Sequence, residues 1–313
     1  MSAHSQSLIL HQYEMSPFSE KIRVIFGMKG LEWHACDQPR IMPKPDLVAL
    51  TGGYRRIPVL QIGADLYFDT MLIIDELERR FPTPSVYDGV GRGMAQALEG
   101  WADQGLFWQV VTALFGGDIP ADAAFMADRS ALLGRPFDQA AMKAASPEAL
   151  RLMAGYFDLA EQQLADGRAY LFGAQPGAVD ASLYHNVAFL RWGRGRAAKV
   201  LDGFPRLLAW EARVRAIGHG RRGADVSGQD AIGIARDSVP APTSGASVRD
   251  DFKPGAEVTI CYNDANTPVL NATIIACDLQ RIAVQPSGAM EHGTILHMPL
   301  SIARFTPGGD SQV

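Results

Sequence analysis

Ser16-Pro17-Phe18-Ser19-Glu20-Lys21-Ile22-Arg23 decides how the rest of this 313-residue chain is read. The stretch follows an apolar, strand-like run, Leu8-Ile9-Leu10, and opens an amphipathic helix. Ser16 stands where an N-cap belongs. Pro17 takes the first helical position, where its fixed φ fits and its missing N–H costs nothing. Ile22, Ile25, Phe26 and Met28 then recur at helical spacing, and Gly30 marks a stop. A hydroxyl at a helix N-terminus stands beside unpaired N–H groups and the positive end of the dipole. That is a seat for an anion, and in particular for a thiolate. Taken alone, Ser-Pro before a helix is most often only a cap, so the reading rests on residues further down the chain.

About forty residues on comes Arg55-Arg56-Ile57-Pro58-Val59-Leu60, an X-Pro peptide entering a short apolar strand and a candidate cis-proline. Gln61 to Asp65 reads as a hairpin turn and Leu66-Tyr67-Phe68 as its second strand. Asp69-Thr70 stands directly before a second amphipathic helix over 72–80. With these three elements in this order, the first eighty-odd residues resemble the thioredoxin-like domain of cytosolic glutathione transferases. The resemblance extends over about residues 7–238, strongly in the first third and moderately afterwards, and does not reach the tail.

The resemblance implies roles for these residues. By position, Ser16 activates the glutathione sulfur. The Ile57-Pro58 loop pairs its backbone with the cysteinyl part, and Asp69-Thr70 holds the γ-glutamyl group. Arg56, two before the proline, replaces the usual Gln or Lys beside the glycine carboxylate and is still a suitable cation. The chemistry has a physical reason. A free thiol with a pKa near ~8.5 is only a few per cent thiolate at neutral pH, and one hydrogen bond donated to the sulfur favours the anion. Serine donates without becoming a nucleophile, whereas cysteine there would form a mixed disulfide. Ser16 therefore points to conjugation over thiol-disulfide exchange. Tyr13, just upstream, and Ser19, one turn on, are the alternatives for the hydroxyl. Tyr13 is expected in the site wall with Phe18, and Ser19 as an exposed or locally bonded serine.

Composition suits this picture. An apolar share of 47% with 20% charged residues describes an ordinary globular protein, and the length suggests two or three domains. A net charge of −5 argues against general nucleic-acid or anionic-membrane binding. The N-terminus lacks a signal pattern and no run is long enough for a span. Cys36, Cys261 and Cys277 form neither a disulfide framework nor a metal-spaced pair, and the histidines lack ligand spacing. The expectation is a cytoplasmic protein without a metal.

Past Pro82-Thr83-Pro84 the period becomes helical, over 91–115, 147–164, 180–192 and 205–217, with no strand alternation. His185, on the third of these, is expected as a packed or bonded core histidine. Trp101, Phe107, Trp108 and Phe115 form an aromatic cluster on the first helix. The resemblance puts that helix opposite the glutathione site, so Trp108 is a candidate wall of a hydrophobic-substrate pocket, although aromatics at this spacing usually make core. Residues 116–145 form a lid or a wandering connection. Before 180, Gly177 replaces the usual Ser or Thr cap while Asp180 is kept, so half of a capping box is lost.

Ser227 is read as capping a short helix through 235, and 239–250, small residues with two prolines, as a linker. From 251 the pattern turns to period-two runs rich in Val, Ile and Thr, giving five short strands. The expected organisation is thus a thioredoxin-like α/β domain over 1–82, an all-α domain over 83–238 and a small antiparallel β domain over 251–313. Together they make the glutathione-transferase fold plus an SH3-like barrel, the latter a stabilising or dimer-contacting appendage. The expected function is glutathione transfer to a small hydrophobic electrophile by a homodimer acting in detoxification, with glutathione as co-substrate. The alternatives are a non-catalytic glutathione-binding scaffold and a glutathione-dependent lyase or dehalogenase.

Overall fold

The computed structural model describes residues 7–120, 122–242, 252–264, 267–288 and 293–307. It begins β1 (Leu8–Gln12), α1 (Pro17–Met28), β2 (Glu32–Asp37), α2 (Pro45–Thr51), β3 (Val59–Ile62), β4 (Asp65–Phe68) and α3 (Thr70–Arg80). β1 runs parallel to β2 and antiparallel to β3, which turns back into β4. This is a thioredoxin-like sheet. All five residues of β1 are buried because both faces are covered. Leu8 and Leu10 pack with α1 and α3, while Ile9 points the other way, into a second core with Leu47 and Leu50 of α2.

The helical layer comprises α4 (Arg92–Gly100), α5 (Phe107–Ala113), α6 (Ala123–Leu133), α7 (Gln139–Gln163), α8 (Ala178–Gly193) and α9 (Pro205–Ile217). The single helix expected over 91–115 is widened by π-helical turns at Trp101–Leu106 and Leu114–Asp118. Such turns rotate the side chains beyond them, and they recur at functional sites. α7 starts at Gln139, well before the expected 147, and carries Pro147 inside it. The Asp138 carboxylate accepts the Ala140 and Ala141 N–H groups at its start. In α8 the retained half of the capping box works through Asp180. It accepts from Gly177 N–H at 2.9 Å, from Leu171 N–H and from the Trp210 indole.

Two sequence boundaries are corrected. The segment after α9 does not stay in the helical layer. β5 (Arg221–Arg222) pairs parallel with β2, and α10 (Gly228–Asp237), capped by Ser227, buries Ala231 and Ala235 against α2. The Gln61 side chain donates to the Ala231 carbonyl across that contact at 2.8 Å. The cause is packing: the apolar face of α10 covers the side of the sheet that α1 and α3 leave open.

The second correction concerns the tail. β6 (Glu257–Tyr262), β7 (Leu270–Cys277), β8 (Arg281–Pro286) and β9 (Ile295–Pro299) form an antiparallel meander. A 3-10 turn at Leu300–Ile302 leads into β10 (Ala303–Pro307), which returns to pair antiparallel with β6. β9, however, also runs parallel to β4, so ten strands make one sheet. The β region is therefore not a detached appendage. Val258, Ile260, Leu296 and Met298 share one core with Ile9, Val59 and Phe68. At the seam the His297 ring lies 2.8 Å from the Asp65 carboxylate and stacks on Tyr67 at 4.4 Å. The other Asp65 oxygen accepts the Ala241 N–H. The expected linker lies, from 243 to 250, outside the described residues. Among the described residues no helix is long and apolar enough to cross a membrane, and no group of His, Cys, Asp and Glu could hold a metal.

Candidate functional site

Ser16 caps α1 as the sequence requires: its Oγ accepts the Ser19 N–H at 3.2 Å. That bond uses a lone pair and leaves the Ser16 hydroxyl proton to be donated elsewhere. Ser16 is 3% exposed, its N–H donates to the Tyr13 carbonyl at 3.0 Å, and its hydroxyl is near enough to the Tyr13 phenol to favour the phenol's anion. Burial raises the Tyr13 pKa, against the pull of Arg129 and Arg40, so the phenol stays protonated. Ser19 is not the exposed or bonded serine expected; it is fully buried and its Oγ has no partner among the described residues. Ser16 and Tyr13 thus share one spot, and Ser19 lies behind it.

The second element is the start of α3. Asp69 has φ 72° and ψ 140°, a conformation that costs a non-glycine residue roughly 1–3 kcal/mol. Its carboxylate caps α3 by accepting the Met71 N–H at 3.0 Å, and burial raises its pKa. Thr70 reaches a buried charge cluster that sequence reasoning missed. The Lys21 ammonium, wholly buried in α1, stands 3.2 Å from Thr70 Oγ1, 2.8 Å from Asp103 and 3.0 Å from Glu99. His185 meets the other Asp103 oxygen at 2.9 Å, which places it as the bonded core histidine. Burial works against charging Lys21, but Asp103 and Glu99 outweigh it and its pKa rises. Burial likewise pushes Asp103 up, yet Lys21 and His185 hold it low; Glu99, with less help, ends raised by burial. The signal in the sequence was there: Glu99 and Asp103 lie four apart within an apolar helix, and Lys21 interrupts an apolar face.

The third element is the loop before β3. The Ile57-Pro58 peptide is cis. Arg56 donates to the Leu132 and Asn263 carbonyls at 3.0 Å each, so it ties α6 and the β6–β7 loop to this site. Arg55 does the same with charge, 2.9 Å from both Asp128 and Asp264. Lys44, at the start of α2, is a further cation the sequence reading did not select. It donates to the Arg55 carbonyl, and burial, with Arg129 beside it, lowers its pKa to about 8. α6 therefore lies across the cleft as a roof, pinned where Asp128 accepts the Met42 N–H and Arg129 donates to the Arg40 carbonyl.

The aromatic wall divides. Phe18 packs on Phe107 at 4.7 Å, and Phe107 on Trp108 at 5.7 Å, so these three line the space beyond Ser16. Arg135, just past α6, stands 4.8 Å over the Trp108 ring. Phe115 is instead core, stacked on Phe125 and edge-on to Phe137, and this cluster anchors the roof helix. Trp101 turns away to Tyr156.

Among known proteins, residues 10–85 match the family model "Glutathione S-transferase, N-terminal domain", and residues 112–222 match a domain of unknown function. A probable glutathione S-transferase, GSTU1, of Oryza sativa subsp. indica is 27% identical over 216 residues, covering 67% of this chain and 86% of that protein. The crystal structure of rice GST1 (OsGSTU1) in complex with glutathione superposes with a TM-score of 0.51 at 20% identity, over 72% of this chain and 94% of that one. That likeness shows the fold alone. A GST-like protein from Pseudomonas syringae is 30% identical and superposes with a TM-score of 0.77, over 96% of this chain and 99% of its own. That match includes the joined β region, and with it the chain belongs to the glutathione S-transferase family.

Proposed function

We propose that the protein binds glutathione in this cleft and activates its thiol for attack on a small hydrophobic electrophile, as a glutathione transferase. One observation carries the reading: Ser16 caps α1 through a lone pair, so its proton remains for a sulfur at the helix N-terminus. Around it, the cis Ile57-Pro58 peptide offers backbone for the cysteinyl unit, Asp69 a carboxylate for the γ-glutamyl ammonium, and Lys44 and Arg56 cations for the glycine carboxylate. A thiolate held there gains from the dipole and from one donated hydrogen bond. It attacks the electrophile, the carbon–sulfur bond forms, and the leaving group departs with its electron pair. Tyr13 is the neighbouring hydroxyl in the site wall, and Phe18 and Trp108 hold the electrophile. That a rice relative has been crystallised with glutathione supports the choice of thiol. The same reading places a homodimer in the cytoplasm.

A second reading, a glutathione-binding protein with little turnover, is favoured by the near-complete burial of Ser16 beneath Tyr13. Binding to immobilised glutathione, followed by turnover of a panel of electrophiles, separates the two. Binding with no turnover on any of them selects the second; no binding rejects both. Light scattering on eluting protein tests the dimer.

A further inference from the structure

The roof of the cleft carries more positive charge than glutathione would need. Lys44, Arg55, Arg56 and Arg129 crowd one corner, where the carboxylates in contact are Asp128 and Asp264. Asp128 is shared between Arg55 and Arg129, at 2.9 and 3.0 Å. Arg56 meets only carbonyl oxygens among its hydrogen bonds to the described residues. Arg129 keeps a buried Nε–H that has no acceptor among the described residues. A buried donor of a cation left unpaired is costly, and a ligand that accepts from it removes the cost. Like charges nearby, Arg129 and Arg55, help hold the Lys44 pKa down, as expected where cations outnumber anions.

One of these cations, Arg129, and a further one, Arg135, face the reacting end of the cleft. Arg129 stands close enough to Tyr13 to pull its pKa down, and the Tyr13 carbonyl accepts the Ser16 N–H at 3.0 Å. Arg135 stands over Trp108, whose neighbour Phe107 packs on Phe18. An apolar wall of mutually tilted rings thus carries one guanidinium group on Trp108, while a second stands near Tyr13, beside the hydroxyl assigned to the sulfur. An arginine fork matches a carboxylate in two parallel hydrogen bonds, and it does not require a deep pocket.

We propose that the electrophile of this site is an organic anion, an aromatic ring bearing a carboxylate, with the ring against Trp108 and Phe107 and the carboxylate on Arg129 and Arg135. This rests on the glutathione reading of the same cleft. In a representative reaction the glutathione sulfur attacks a chlorine-bearing ring carbon and the carbon–sulfur bond forms. Chloride leaves with the bonding pair, and the thiol proton passes to solvent.

The test uses 4-chloro-3,5-dinitrobenzoate and its methyl ester, which present the same reacting carbon with and without the charge. After correction for the uncatalysed rates, kcat/KM is expected to favour the carboxylate at least tenfold, the ratio one charge-assisted hydrogen bond supplies. Arg129→Met and Arg135→Met should each draw that ratio towards one, while Arg129→Lys should keep most of it. Calorimetric binding of the two preformed glutathione conjugates repeats the comparison without turnover. Binding of glutathione with no turnover of either probe would reject the transferase reading and leave the conjugates to decide on the anion. A ratio of one or below in the wild-type protein, by rate or by binding, overturns the proposal. So does a ratio unchanged in both methionine variants. Failure to bind glutathione or either conjugate overturns both readings together.

Discussion

Replacing Lys21 with Met removes the only cation in contact with Glu99, among the described residues, in a fully buried cluster. The Lys21 and Glu99 side chains are both 0% exposed, and Asp103 keeps His185 as a second partner while Glu99 keeps none. Breaking a buried pair this way costs about 3–5 kcal/mol, against about 0–1 kcal/mol for an exposed pair. The loss should also depend on pH with a definite sign. In Lys21→Met, Glu99 takes up a proton in the folded state well above its unfolded pKa of ~4.3, so the native protein binds more protons than the unfolded one. Stability of the variant then falls as pH rises from the unfolded value to the raised one, by about 1.4 kcal/mol per unit for one full proton. The wild-type cluster has the opposite trend on the acid side. Asp103 is held low, so its contribution is present above about pH 4 and is lost as pH falls through its depressed folded value. Urea unfolding followed by fluorescence of the buried Trp33 and Trp210, at unit steps from about pH 2 to about pH 8, reads both effects, the Asp103 loss below about pH 4 and the Glu99 loss above it. Adding Glu99→Gln to Lys21→Met should recover part of the loss and flatten its pH dependence. A loss under about 1 kcal/mol at pH 7, or one that does not change with pH, would refute the account of this cluster.

Ser16→Ala should lower turnover by roughly 10²–10³, the loss typical of one preorganised donor, and raise the pKa of bound glutathione thiol as read by its ultraviolet absorbance against pH. An unchanged rate there, with a collapse in Tyr13→Phe, would move the role to Tyr13. Ending the chain after Asp237 should yield aggregated protein, because it bares the β4 edge and opens the shared core; a soluble product on size exclusion that still binds glutathione would contradict this. Gly27→Ala should destabilise by more than about 1–3 kcal/mol despite a better helix propensity, since the added Cβ would fall 2.1 Å from the Gly218 carbonyl oxygen. Thermal melting measures it, and an unchanged Tm would show that α1 and the 218–220 turn can part.

What the sequence disclosed and what it hid divide along physical lines. Local rules found the cap at Ser16, the cis peptide at Ile57-Pro58, the acid before α3 and the starts of α9 and α10, because each is set by neighbours in the chain. The period-two runs after 251 likewise gave five strands close to where they stand. The junction of β9 with β4 was not legible, since β9 reads as an ordinary strand and nothing local names its partner. The return of α10 to the sheet was hidden for the same reason. π-helical turns leave no mark on a 3.6-residue period, so the helix expected over 91–115 gives no sign of the turn that carries Asp103 to Lys21. α6 looked like a connection because its one buried residue, Phe125, gives it no amphipathic stripe; it is held by arginine and aspartate pairs from other segments.

The β4–β9 seam sets an order of events during synthesis. Asp65 leaves the ribosome long before its partner His297, 232 positions later. At about 5–20 residues per second, that interval is roughly ten to fifty seconds. For that time the nascent chain can complete β1 to β4 and the helices α1 to α10, yet it carries a raw strand edge with the acid of Asp65 beside it. An unpaired edge is a template for pairing with another chain, and neighbouring ribosomes on one message hold identical edges close together. The stretch that closes the sheet is therefore translated long after the edge it covers, and slow elongation between β4 and β9 should cost soluble yield.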